Sequence, residues 1–177
     1  MSSFNPWHDI SPGKQAPGVV DALIEIAFGT RTKYEIDKQT GMLRLDRILR
    51  TSMSYPGNYG FIPQTLTGDN DPLDILVMTS YTLEPGCVVA ARVIGALSME
   101  DTGEEDDKII AVINNDYTSI HLQDINDLSP AIVKELVHFF ETYKLTENRA
   151  VKVSEVLDRK KALKVITESM KFYKERF

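Results

Sequence analysis

The chain has 177 residues and a net charge of −6, which argues against broad, sequence-independent binding to nucleic acid, because that needs a basic surface. Its one cysteine, Cys87, excludes an intrachain disulfide and any thiolate metal cluster within one chain. The apolar share of 42% suits one soluble domain over residues 1–177, and no apolar run approaches the ~18 residues of a spanning helix, so the cytoplasm is the expected location.

Residues 1–18, with Pro6, Pro12 and Pro17, read as an irregular lead-in. They lack the basic-then-apolar pattern of a signal peptide, and Trp7 invites no functional reading there. VVDALIEIAF (19–28) reads as a strand. KYEID (33–37) and MLRLDRIL (42–49) read as a hairpin joined by D-K-Q-T-G. LDILVM (73–78), CVVAARVIGALSM (87–99) and KIIAVI (108–113) supply further strands. The last third changes period. Ser129 and Pro130 suit an N-cap and first helical residue, and Val133, Leu136, Val137, Phe140 and Tyr143 follow at helical spacing. A second helix is expected over 157–174, with Leu163, Ile166, Met170 and Tyr173 on one stripe. Strands followed by helices imply an α+β protein with a mainly antiparallel sheet or small barrel.

The chemistry concentrates in YPGNYGFIPQTLTGDNDPLD (55–74), where Asp69, Asp71 and Asp74 crowd one turn. At about 4 Å and an effective dielectric near 20, each like-charge pair repels by roughly 4 kcal/mol, so a hard cation would relieve the turn. All-oxygen donors suit magnesium, manganese or calcium rather than zinc. Taken alone, such a turn is more often a solvated Asx/Pro turn. The acidic stretch DTGEEDDK (101–108) sits where a hairpin loop would, and folded beside the first it could add Asp101 and Asp106 to a polynuclear site. Lys108 would share a strand face with Asp106, and Lys33 with Glu35. Arg47 shares a face with Leu43 and Leu45, and Glu25 with Leu23, where a charge needs a partner; structural ion pairs are the plainer reading of each. Tyr143 and Lys144 end the first helix, where a lysine also suits the helix dipole. The three histidines show no ligand spacing.

In their order, KYEID, the DR of 46–47, YPGNYGFIP, DNDPLD, the acidic loop and HFFETYK resemble the family I soluble inorganic pyrophosphatases in their short prokaryotic form, from Glu25 to Lys144. The resemblance implies a small five-stranded OB-like β-barrel with flanking C-terminal helices. It also implies magnesium-dependent hydrolysis of pyrophosphate to two orthophosphates by direct attack of a metal-activated water. Several Mg2+ ions per site are implied, with Mn2+ or another divalent ion as a substitute, in a homohexamer with no nucleic-acid or membrane partner. It makes Asp69, Asp74, Asp101 and Asp106 metal ligands and Asp71 the proton acceptor. It gives Lys33, Arg47, Tyr59, Lys108, Tyr143 and Lys144 the phosphates, with Glu25, Glu35 and Tyr55 in support. Three departures stand out: Ala27 follows Glu25-Ile26 where the family often has proline, the turn from Glu25 to Lys33 is shorter by one, and Gly103 comes one residue early, with the Asp101-to-Asp106 spacing kept. A phosphohydrolase acting on nucleotides or polyphosphate, and a non-catalytic cation-binding domain, remain alternatives; convergence of the basic groups on the aspartates discriminates against the latter.

Overall fold

A computed structural model describes residues 4–147 and 151–177. Its central feature is a ring of strands. β1 (Val19–Ile26), β4 (Asn58–Phe61), β5 (Asp74–Met78), β8 (Lys108–Ile113) and β6 (Val88–Asp101) pair in that order, and β6 pairs back onto β1. Every pairing in the ring is antiparallel except β5 with β8. That parallel pair departs from a wholly antiparallel sheet. It sets Asp74 and Lys108 directly opposite each other.

The hairpin of β2 (Thr32–Ile36) and β3 (Leu43–Ile48) stands off the ring as its own two-stranded sheet. A bulge at Asp46, between the Lys33–Arg47 and Tyr34–Leu45 pairs, moves Arg47 off the face it was expected to share with Leu43 and Leu45; Leu45 and Ile48, on that other face, are about half exposed. β7 (Glu104–Glu105) folds back on the end of β6 through Thr102 and Gly103, which take φ of 57° and 92°. The acidic stretch is therefore a tight hairpin, as its place between two strands predicted.

Helix α2 (Pro130–Thr142) starts at Ser129, whose side chain accepts from the Ala131 N–H, and Pro130 occupies the first turn. Helix α3 (Arg159–Arg176) starts two residues later than expected, because the Asp158 side chain caps it at Lys161 N–H. Besides the two-residue β7, two strands and a helix went unread. β9 (Val151–Asp158) runs between the helices and extends the sheet along β6. β4 has only four residues, one of them Gly60. A Cβ there would fall 1.8 Å from the Leu23 carbonyl oxygen, so only glycine lets β1 and β4 approach. Within the expected lead-in, Pro6–Asp9 form a one-turn helix, α1; residues 1–3 lie outside the described residues.

Strand alternation divides the core. Leu76, Ile110 and Val112 join α2's Leu136, Phe139 and Phe140, whereas Ile75, Ile109 and Ala111 join α3's Ala162 and Ile166. Trp7 forms a third cluster with Leu23, Phe61 and Leu66. Buried Asn58 ties loops to the ring: its Oδ1 accepts from Phe28 and Leu83 N–H at 2.9 and 2.8 Å, and its Nδ2 donates to the Tyr81 carbonyl at 3.0 Å.

Candidate active site

The aspartate turn connects β4 to β5. Asn70 takes φ 65°, a left-handed conformation that asparagine tolerates, and this reverses the chain. The turn is locally satisfied, as the Asx reading expects: Asp69 Oδ1 accepts from Thr67 Oγ1 at 2.5 Å and from Asp71 N–H at 3.1 Å. Asp74 lies past the turn on β5 and Asp101 at the end of β6, while Asp106 precedes β8.

Lysines hold Asp74, Asp101 and Asp106, whereas Asp69 is held by Thr67 and the turn backbone. Lys108 is about 1% exposed; its Nζ donates to Asp74 Oδ2 at 2.6 Å and also to Asp106. Burial alone would lower its proton affinity, but Asp74 and Asp106 outweigh burial and keep it charged. Lys144, just beyond α2, donates to Asp101 Oδ2 at 2.6 Å, and its ammonium lies 5.1 Å from the Tyr143 ring centre. Tyr59 donates its hydroxyl to Asp74 Oδ2 at 2.5 Å. Burial holds the Tyr55 and Tyr59 hydroxyls well above the usual phenol range, so both remain protonated donors.

The β2–β3 register sets Lys33 opposite Arg47, a like-charge pair that needs relief. Asp46 supplies it, accepting from Lys33 Nζ at 2.9 Å and from Arg47 Nη1 at 2.7 Å; Lys33 also donates to Glu35. Glu25 is buried on β1, where its Oε1 accepts from the Ile36 N–H at 2.7 Å and so fixes β2 to the ring. Burial pushes its carboxyl up to about 8, with nearby Asp74 and Glu35 adding to the rise.

A cavity of about 320 Å³ opens among these groups. Every residue singled out from the sequence lines it except Arg47 and Tyr55. Tyr55 lies behind the wall, its ring centre 5.4 Å from that of Tyr59 and 6.4 Å from that of Tyr143. Arg47 stays outside, with its Nε 3.0 Å from Glu147 Oε1 but misaligned for a hydrogen bond. Sequence reasoning passed over Asp46, Lys38 and Trp7, of which the last two line the cavity. In the sequence the DR pair points to Arg47 and not to its neighbour, Lys38 falls in a hairpin connection, and Trp7 in the proline-rich lead-in.

The cavity wall carries seven carboxyl groups and four lysines. That donor set is hard and oxygen-rich and suits magnesium. Among the described residues no three acidic, histidine or cysteine side chains are gathered closely enough to hold an ion, and lysines pair with Asp74, Asp106 and Asp101. The residues fit the metal in kind.

Carboxylates, lysines and phenols interleaved in one cleft beside a closed five-stranded ring define an OB-like β protein with a charged pocket and C-terminal helices. Comparison with known proteins narrows the class. A family profile described as inorganic pyrophosphatase matches residues 22–174. The chain is 48% identical to soluble inorganic pyrophosphatase 3 of Arabidopsis thaliana, over 97% of its own length and 79% of that protein. It is 46% identical to a soluble inorganic pyrophosphatase of Oryza sativa subsp. japonica, over 96% and 79%. Its fold matches the inorganic pyrophosphatase of Thermus thermophilus with a TM-score of 0.92, at 44% identity over 97% of this chain and 99% of that one. It matches the Helicobacter pylori enzyme with a TM-score of 0.88, at 39% identity over 94% and 99%. The chain belongs to the inorganic pyrophosphatase family. No helix among the described residues is long and apolar enough to cross a membrane.

Proposed function

We propose that this protein, as one domain, hydrolyses inorganic pyrophosphate to two orthophosphates with magnesium. The observation that carries the reading is the meeting of acids from separate strands and turns with four lysines on one cavity wall, in a chain of this family. Asp69, Asp74, Asp101 and Asp106 would hold the magnesium, and Mn2+ or another divalent ion could substitute. The bound metal would neutralise phosphate charge and make a water acidic enough to attack near neutral pH.

The chain's own groups do the rest. Lys108 and Lys144, exchanging carboxylate for phosphate oxygens, fix the substrate in line and offset its charge. Lys33 does the same from β2, and Arg47 reaches the phosphate by leaving Asp46 and Glu147. Tyr59 and Tyr143 donate neutral hydrogen bonds. Asp71 accepts the proton of the attacking water. Glu25, Glu35 and Tyr55 hold the frame that aims these groups. The same reading takes the assembly to be a homohexamer in the cytoplasm, which light scattering after size-exclusion and cell fractionation test.

The functional test is phosphate release from purified protein. Hydrolysis of pyrophosphate that rises with magnesium and stops in excess EDTA is expected. An undiminished rate in EDTA, or a strong preference for a nucleoside triphosphate, would contradict the reading.

A further inference from the structure

The turn between β2 and β3 brings an unassigned cation to the cleft. Its backbone is fixed. The Asp37 carboxylate accepts from Gln39 and Thr40 N–H at 3.1 and 2.9 Å, and Asn5 Nδ2 donates to the Lys38 carbonyl at 3.0 Å. Gly41 takes φ +68°, and a Cβ there would lie 2.6 Å from the Phe4 carbonyl oxygen, so the turn sits directly on the N-terminal segment.

From this anchored root the Lys38 ammonium reaches Asp71 Oδ1. It also stands 5.8 Å from the Trp7 ring centre. The ring is itself held. Trp7 Nε1 donates to the Thr65 carbonyl at 2.8 Å, and the ring packs against Phe177 and Tyr173 with centres 5.7 and 6.3 Å away. The Lys38 side chain is 54% exposed, against 2% for Lys108 and 10% for Lys144. An ion pair so exposed adds little to stability. Its other consequence is directional, because a cation on one carboxylate oxygen fixes which way the other points.

We infer that Lys38 is a positioning residue: seated over Trp7, it grips Oδ1 of Asp71 and aims the remaining oxygen at the attacking water. The inference rests on the pyrophosphate reading, in which Asp71 accepts the proton. Trp7 is the chain's single tryptophan, so its emission reports the ammonium above it.

The test is a double-mutant cycle with two readouts. Lys38→Met should lower kcat about tenfold with KM for pyrophosphate unchanged, since the loss is one of aim rather than of binding. Lys38→Arg should restore kcat. In an Asp71→Asn background the Lys38→Met change should have no further effect, because the lysine acts only through that carboxylate. In protein without substrate, Lys38→Met should shift tryptophan emission, and Asp71→Asn should shift it only while Lys38 is present. Wild-type kcat in Lys38→Met, additive losses in the cycle, or emission indifferent to Lys38 would overturn the inference. Should the wild type leave pyrophosphate intact, the functional reading fails, and the emission cycle still decides whether Lys38 grips Asp71.

Discussion

Glu25 offers a sharp test of the electrostatics, because its burial ties stability to pH in an unusual direction. An ordinary glutamate titrates near 4.5, and in the folded protein this carboxyl is pushed up to about 8, chiefly by burial. Below pH 4.5 both folded and unfolded chains hold the proton, and the group contributes no pH dependence. Between pH 4.5 and 8 the unfolded chain has released its proton while the folded one keeps it, so stability falls as pH rises. Above 8 both are ionised and the loss is complete. The two values stand about 3.5 pH units apart, and at roughly 1.4 kcal/mol per unit the loss approaches ~5 kcal/mol. Glu25→Gln removes the titration and keeps a carbonyl oxygen to accept the Ile36 N–H. Urea unfolding of both proteins in EDTA, from pH 5 to 8, is the assay; EDTA matters because a divalent ion in the cleft would favour the carboxylate. Relative to wild type, the glutamine variant should gain several kcal/mol across that range, on the order of the value above. Parallel stability profiles would refute the assignment of a neutral, burial-raised Glu25.

Three further outcomes are expected. Asp71→Asn should leave the melting temperature near wild type, since Asp71 sits on an exposed turn, and cut turnover by about 10²–10⁴-fold in a phosphate-release assay. Lys108→Met strands the Asp74 and Asp106 carboxylates and should cost roughly 3 kcal/mol by denaturant unfolding in EDTA; magnesium should then raise the melting temperature of the variant more than that of wild type. Asn58→Ala removes three buried hydrogen bonds to backbone groups and should destabilise by about 2–4 kcal/mol, with the family's activity retained at low temperature.

Much of the site was legible because the acids lie close in sequence: Asp69, Asp71 and Asp74 in one turn, Asp101 and Asp106 in one hairpin. The ring's long strands were legible from branched apolar runs such as VVAARVIGAL, which continue because β6 is buried on both faces. β4 was not, because four residues with a central glycine carry no strand pattern of their own, and tertiary closeness to β1 selects them. β9 was readable in part: Val151, Lys152 and Val153 alternate, but the run SEVLD breaks the pattern where the strand lies exposed along β6.

The unread members of the site share one cause. Asp46 matters only because the hairpin register sets Lys33 against Arg47, and Lys38 only because the turn beneath it is pinned to the segment carrying Trp7. Register and docking are tertiary facts, so a residue whose role is to serve another residue leaves little trace in local sequence. The lysines of the cleft carry the point further. A chain that must gather seven carboxyl groups in one cavity meets mutual repulsion before any divalent ion arrives. Lys108 between Asp74 and Asp106, and Lys144 on Asp101, relieve it within the fold itself. The same ammonium groups stand beside the space a polyanion would enter, so offsetting the carboxylates and receiving the substrate become one structural feature. Replacing them by apolar residues should therefore damage the unliganded protein and the turnover together, whereas Asp71→Asn should damage turnover alone.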